Sequence, residues 1–148
     1  MQRRLVLLGA GTLLAVAGCG AARLTHEQLL DRADAVCVTY NRATVKLAQP
    51  RTLRQIRRFA ARVLPAYRTA IGKLDALRPP KEDENAFDAW LAADRRTELD
   101  VEQLARAARR GDVHAVRAAV AQASADDARS SRLANALGLS ICGTRRTG

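Results

Sequence analysis

The amino-acid sequence predicts an all-α fold, a four-helix bundle in which successive helices run up and down. Four stretches of the chain repeat apolar residues at intervals of three and four, and each lies between recognisable helix start and stop signals. The apolar residues are mostly Leu, Val and Ala, and only 3% of all residues are aromatic. This composition suits closely packed helices better than a sheet. Short connections between helices of similar length favour the up-and-down arrangement.

The first two helices both open on a Thr-x-x-Gln pair, the spacing of a capping box. Thr25 starts the first helix, which is expected to end by Pro50. Its inward face carries Leu29, Ala33, Val36, Cys37, Tyr40, Ala43 and Leu47. Thr52 starts the second helix, which Pro79 ends and which Pro65 is expected to kink. Its inward face carries Leu53, Ile56, Ala60, Val63, Leu64, Tyr67, Ile71 and Leu74.

Helices three and four are expected on either side of Gly111. Acidic residues 82–84 favour the positive end of helix three, and Asp112 is the expected cap of helix four. Gly138 ends helix four. The inward residues of helix three are Phe87, Trp90, Leu91, Val101, Leu104 and Ala108. Those of helix four are Val113, Val116, Val120, Ala123, Ala134 and Leu137.

The N-terminus has the three-part layout of an export signal. Arg3 and Arg4 precede an uncharged run from Leu5 to Ala17, which is too short for a committed membrane span. The run ends in Val16-Ala17-Gly18-Cys19, which resembles the lipobox of bacterial lipoproteins. This resemblance implies cleavage before Cys19, a diacylglycerol on its thiol and often an acyl chain on its new amine. It also implies a protein held by this lipid at the outer face of the cytoplasmic membrane.

Two other interpretations of the N-terminus remain open. It is also compatible with an ordinary secretory signal beside an incidental Cys19, or with an uncleaved anchor, because small residues continue to Ala22. The lipoprotein interpretation divides the chain into a signal peptide (1–18), a lipidated tether (19–24), the bundle (25–142) and a basic tail (143–148). Removing the signal takes two arginines from the formal net charge of +10, so the remaining chain carries +8.

With Cys19 assigned to lipid, Cys37 and Cys142 remain as an even pair. In an exported protein such a pair is expected to form a disulfide. The loop closed would contain about 105 residues, which corresponds to roughly 4–5 kcal/mol in the chain-entropy model. The bond requires the chain to turn back at Gly138 and climb beside helix one, with Leu139 and Ile141 as apolar anchors.

No catalytic constellation is recognisable in the sequence. It contains no metalloprotease motif, phosphate-binding glycine loop or Cys-x-x-Cys, and neither histidine has an evident metal-ligand partner. We therefore expect no catalytic residue, no metal and no cofactor beyond the lipid on Cys19. Nucleic acid is not an expected partner of an exported chain.

A row of arginines follows helix two at helical spacing, namely Arg51, Arg54, Arg58 and Arg62, with Arg57 alongside. On a lipid-tethered domain this face would meet anionic lipid headgroups or acidic wall polymers. A solvated face in an Arg-rich protein explains the row equally, so both interpretations stand.

Polar residues also interrupt the predicted core. Asp94, Thr97 and Glu98 lie on helix three, and Ser124, Asp127 and Ser131 lie on helix four. Antiparallel packing about Gly111 brings them to one height. Asp94, Glu98 and Asp127 would then form a pocket for a cation or a polar ligand. In the alternative, the carboxylates lie at the helix margins and pair with Arg68 or Arg117, or the layer only fixes helix register.

The mature chain is also similar to small helical lipoproteins of high-GC Gram-positive bacteria. The similarity rests on Ala-Asp-Ala-Val-Cys37, Leu77-Arg78-Pro79-Pro80, Phe87-Asp-Ala-Trp90, Arg110-Gly111-Asp112 and Cys142-Gly143. It implies anchorage and fold, and no assigned activity. The leading expectation is thus a non-catalytic envelope lipoprotein that binds an unknown envelope partner. The alternative is a sensor domain that binds a small ligand or a cation in the polar layer, and an enzyme is the third class.

Overall fold

The computed structural model describes residues 22–144, which form four antiparallel helices and no strand. The helices are α1 (His26–Thr44), α2 (Leu53–Asp75), α3 (Glu84–Arg110) and α4 (Val113–Leu137). This confirms the predicted all-α four-helix bundle. The signal peptide, Cys19 and residues 145–148 of the basic tail lie outside the described residues.

The helix ends follow the predicted capping chemistry. Thr25 and Thr52 each cap a helix in a complete capping box, with Gln28 and Gln55 respectively returning a bond to the cap residue. The Asp112 side chain accepts from the backbone N–H of Ala115 at the start of α4. α3 and α4 end at Gly111 (φ 73°) and Gly138 (φ 96°), in the left-handed region where glycine avoids the steric cost of a side chain.

The prediction was wrong for the end of α1, for Ala43 of α1, which is exposed, and for two side chains of α4. α1 ends at Thr44, where the Thr44 hydroxyl donates to the carbonyl of Tyr40, and Leu47 lies half-buried in the following loop. Val113 and Val120 are exposed, because the buried face of α4 runs instead through Val116 and Ala119. Alanine on that face allows α3 and α4 to pack closely along their length.

The apolar core is divided into two parts. The larger part joins all four helices near the start of α1 and includes Leu29, Leu74, Phe87, Trp90 and Leu139, all 2% exposed or less. The smaller part lies at the opposite end and consists of α2, α3 and α4 residues, namely Ile56, Leu104, Ala107, Ala108, Val116 and Ala119. α1 contributes no buried residue to it, so only the first half of α1 is inserted in the core.

The C-terminal segment fastens to α1 as the disulfide prediction required. After Gly138 the chain buries Leu139 completely and brings the Cys142 sulfur to 2.05 Å from that of Cys37. The Asp34 carboxylate accepts from the backbone N–H groups of residues 140, 141 and 142, at 3.0–3.1 Å, and from the Ser140 hydroxyl. Ile141, expected as a second anchor, is 36% exposed. Leu139, Asp34 and the disulfide together hold this segment.

Replacing both Cys37 and Cys142 with alanine should lower the free energy of unfolding by about 2–5 kcal/mol, because the unfolded chain regains the freedom of a long loop. Urea unfolding followed by circular dichroism measures this loss. The same experiment on the unmodified protein under reducing conditions should give a comparable loss. Unchanged stability in both would contradict a structural disulfide.

Candidate functional site

A cleft of 670 Å³ lies between the helices where α1 leaves the core. Within the described chain, no Cα atom of α1 comes within 8 Å of a Cα atom of α3 or α4, whereas α2, α3 and α4 pack in sequence. α1 therefore forms one wall of the cleft. The other walls come from the middle of α2, α3 and α4 and from the C-terminal turn. The volume is within the usual range of small-molecule sites.

The walls of this central cleft combine aromatic and aliphatic side chains with polar ones such as Thr97 and Ser131. Four of the five aromatic residues of the chain line it, namely Tyr40, Phe59, Tyr67 and Trp90. The rings of Tyr40 and Tyr67 meet edge to face with centroids 5.2 Å apart. The aliphatic lining includes Val63, Ile71, Leu74 and Val101. Such walls can remove the apolar body of a ligand from water.

Three hydrogen-bonded polar side chains form a cluster in this lining, with the Asp94 carboxylate at its centre. Asp94 Oδ1 accepts from the Ser130 hydroxyl at 2.7 Å and lies 3.1 Å from the Tyr67 hydroxyl. Desolvation raises the pKa of Asp94, and the negative charge of Asp127 adds to the rise, although the two hydroxyls oppose it. Desolvation, followed by the charge of Asp94, also raises the pKa of Tyr67, which stays protonated and able to donate.

Of the three carboxylates of the predicted polar layer, the structure brings Asp94 and Asp127 to the same cleft and leaves Glu98 outside it. Asp94 lines the cleft, and Asp127 is an exposed residue of its lining. Glu98 does not line it, and its Oε1 lies 2.8 Å from Nε of Arg68, which also pairs with Glu102. In residues 22–144, no three Asp, Glu, His or Cys side chains are grouped as a metal ion requires. The site is thus a cleft of mixed apolar and polar lining that holds the half-buried Asp94 and the exposed Asp127.

Sequence reasoning missed three polar residues that shape the site or its surroundings. Ser130 supplies the shortest hydrogen bond to Asp94, although only its neighbour Ser131 was singled out. Asp34 binds the C-terminal turn. Asp100, 5% exposed, faces Asp126 across the α3–α4 interface, and its Oδ2 has no hydrogen-bond partner. Asp100 shares one helix face with Thr97 and Leu104, and this spacing could have predicted that Asp100 is buried.

The arginine face, defined as Arg54, Arg58 and Arg62 of α2 with Arg51, which precedes the N-cap of that helix instead of lying on it, is exposed. None of the four forms a salt bridge with a described residue. Between Asp34 and Asp75 the sequence contains nine Lys and Arg and no Asp or Glu. In the described chain, the salt bridges made from this stretch are those of Arg68 with Glu98 and Glu102 on α3, so the charge of the four arginines is not neutralised locally.

Comparison of the chain with protein-family models, curated proteins and solved structures gives no match. None of the helices in residues 22–144 combines the length and apolar character needed to span a membrane.

Replacing Asp100 with asparagine should raise the melting temperature at pH 7 by about 2–4 °C, since it removes a buried charge facing Asp126. Desolvation and Asp126 raise the folded-state pKa of Asp100 above its unfolded value. The stabilising effect of its protonation is therefore complete below the unfolded pKa and is lost as pH rises through the folded pKa. The difference in melting temperature between the variant and the unmodified protein should thus become smaller towards pH 3. Calorimetry across this range measures it, with the exposed Asp88→Asn as the control.

Proposed function

We propose that this protein is a non-catalytic, lipid-anchored binding module of the bacterial cell envelope, and that its central cleft holds a small ligand. The cleft itself carries this proposal, because a cavity of this size that combines apolar walls with directed polar groups is the usual form of a ligand site. Asp94, Tyr67 and Ser130 supply those polar groups. Envelope location is supported by the lipobox-like Val16-Ala17-Gly18-Cys19 and by the Cys37–Cys142 pair, which suits an oxidising compartment.

The start of the described chain supports a close attachment to the membrane. Leu24 is buried, and its backbone N–H donates to the carbonyl of Arg78. Arg23 donates to the carbonyl of Pro79 and pairs with Glu84. Cys19 precedes Arg23 by four residues, which span about 14 Å at most. A lipid on Cys19 would therefore hold this end of the bundle near the membrane surface.

The same geometry bears on the partner of the arginine face. Leu24 contacts the chain just after α2, whereas Arg51 and Arg54 lie at the opposite end of that 23-residue helix. A helix of this length is about 35 Å long. In an upright domain the arginine face points away from the bilayer, so we propose an acidic wall polymer or an acidic envelope protein as its partner. Anionic headgroups would be reached only by a domain lying on its side.

The lipid anchor predicts the mass of the protein extracted from membranes. It should begin at Cys19 and carry at least two acyl chains, because a single chain gives only marginal attachment. Denaturing mass spectrometry measures this, and a Cys19→Ala variant should leave the membrane fraction. A full-length or unlipidated mass would overturn the anchor and favour one of the other signal interpretations.

Ligand binding in the cleft is testable through Trp90, since it is the only tryptophan in the chain and lines the cleft. A panel of small aromatic and aliphatic compounds should include members that change Trp90 fluorescence at millimolar concentration or below. Ala70→Phe fills part of the cleft and should weaken these affinities about tenfold or more. Ala61→Phe, on the exposed side of α2, is the matched control. Absence of any fluorescence response, or equal binding by both variants, would refute the cleft as the site.

The arginine face is tested by replacing Arg51, Arg54, Arg58 and Arg62 with glutamine. Because four unpaired charges are lost, this variant should no longer show salt-sensitive retention on an immobilised anionic polymer such as polyglutamate. The control variant removes four exposed positive charges nearer the end of the bundle where α1 begins, at Arg78, Lys81, Arg129 and Arg132. Equal retention of the two variants would show that only net charge matters. Selective loss of binding to vesicles containing phosphatidylglycerol would instead favour lipid headgroups.

A further inference from the structure

We propose that the central cleft binds an organic cation, an amine or ammonium group on an apolar body, with the Asp94 carboxylate as its counter-ion. This inference rests on the proposed function, since it names the class of ligand for the same cleft.

The charge of the cleft is opposite to that of the protein. The chain has 25 Lys and Arg against 15 Asp and Glu, yet the described residues that line the cleft include Asp94 and Asp127 and no Lys, Arg or His. Field lines from carboxylates are focused by low-dielectric walls, so a cation is attracted and an anion repelled. The charged side chains that line this cleft are thus negative, although the protein as a whole is positively charged.

Asp94 itself is incompletely satisfied. Oδ1 accepts from the hydroxyls of Ser130 and Tyr67, whereas Oδ2 receives no hydrogen bond from a described residue, and no basic side chain forms a salt bridge with Asp94. Partial burial of a carboxylate without a counter-ion disfavours its charged form, and desolvation raises the pKa of the half-buried Asp94. A ligand ammonium group donating to Oδ2 would supply the missing partner.

The walls select an organic cation over a metal ion. Calcium and magnesium take six or more oxygen ligands, and the described residues here do not group even three Asp, Glu, His or Cys side chains. Aromatic rings instead favour an ammonium group, which is attracted to their faces, and the cleft is lined by Tyr40, Phe59, Tyr67 and Trp90. The remaining aliphatic lining would bury the apolar part of the same molecule.

Three probes with one apolar body and different charges test this proposal. 4-Phenylbutylamine, 4-phenylbutanol and 4-phenylbutyrate are titrated into the purified full chain, and binding is followed by Trp90 fluorescence. The amine should bind about tenfold or more tightly than the alcohol, because a charged hydrogen bond is gained, and the acid should bind most weakly.

Asp94→Asn should remove the preference for the amine and leave the affinity for the alcohol within about twofold, since the amide oxygen still accepts from Tyr67 and Ser130. Asp88→Asn makes the same charge change at an exposed position outside the cleft and should alter nothing. Thermal unfolding verifies that both variants fold. Equal affinities for the three probes, or an unchanged amine affinity in Asp94→Asn, would overturn the inference and leave the ligand-binding cleft standing. No binding of any probe would overturn the inference and count against the cleft as well.

Discussion

The attachment of the C-terminal turn to α1 is the constraint on which the rest of this structure depends. α1 packs against α2 but not closely against α4, so helix packing alone fixes it on one side. On the other side the Cys37–Cys142 bond and the four hydrogen bonds to Asp34 hold it. Because Asp34 and Cys37 are one helical turn apart, they bind the same short segment. The distance between α1 and α4 is thereby set without a continuous apolar interface between them.

This arrangement explains how a small bundle keeps an open cavity. An up-and-down bundle normally closes its interior by packing each helix on two neighbours. Here the first half of α1 is buried around Leu29 and Ala33, while its second half contributes Tyr40 to a cleft wall. A covalent cross-link holds two helices together even where a cavity separates them, whereas side-chain packing holds them together only where they are in contact. Asp94 lies at that cavity, half-buried and without a basic partner among the described residues.

The ends of the bundle differ in chemistry as well as in packing. The start of α1, the end of α2 and the start of α3 are joined by Arg23, His26, Asp83 and Glu84 in short-range polar contacts. The other end presents the arginine face without acidic partners. A domain anchored through residues just before Leu24 would thus present its unpaired positive charge away from its attachment point. The cleft lies between the two ends.

The sequence by itself determined the fold class, the helix starts and the cysteine pairing. Capping boxes, glycine stops and helical apolar spacing act within a few residues of one another, so Thr25, Thr52, Gly111 and Gly138 could be interpreted locally. The pairing followed from the number of cysteines and from the expectation that the chain is exported. The end of α1 was less predictable because Leu47 continues the apolar spacing beyond the last helical residue, Thr44.

Tertiary structure alone decided which polar residues share a site. Helical spacing placed Asp94, Glu98 and Asp127 at one height, but a small rotation about each helix axis determines whether a side chain faces the interior or the margin. Glu98 reached Arg68, Asp127 stayed exposed, and the half-buried Asp94 accepted hydrogen bonds from Ser130 and Tyr67 of two other helices. The cleft was likewise unpredictable, because it results from how far α1 stands from α4, a distance that no local spacing encodes.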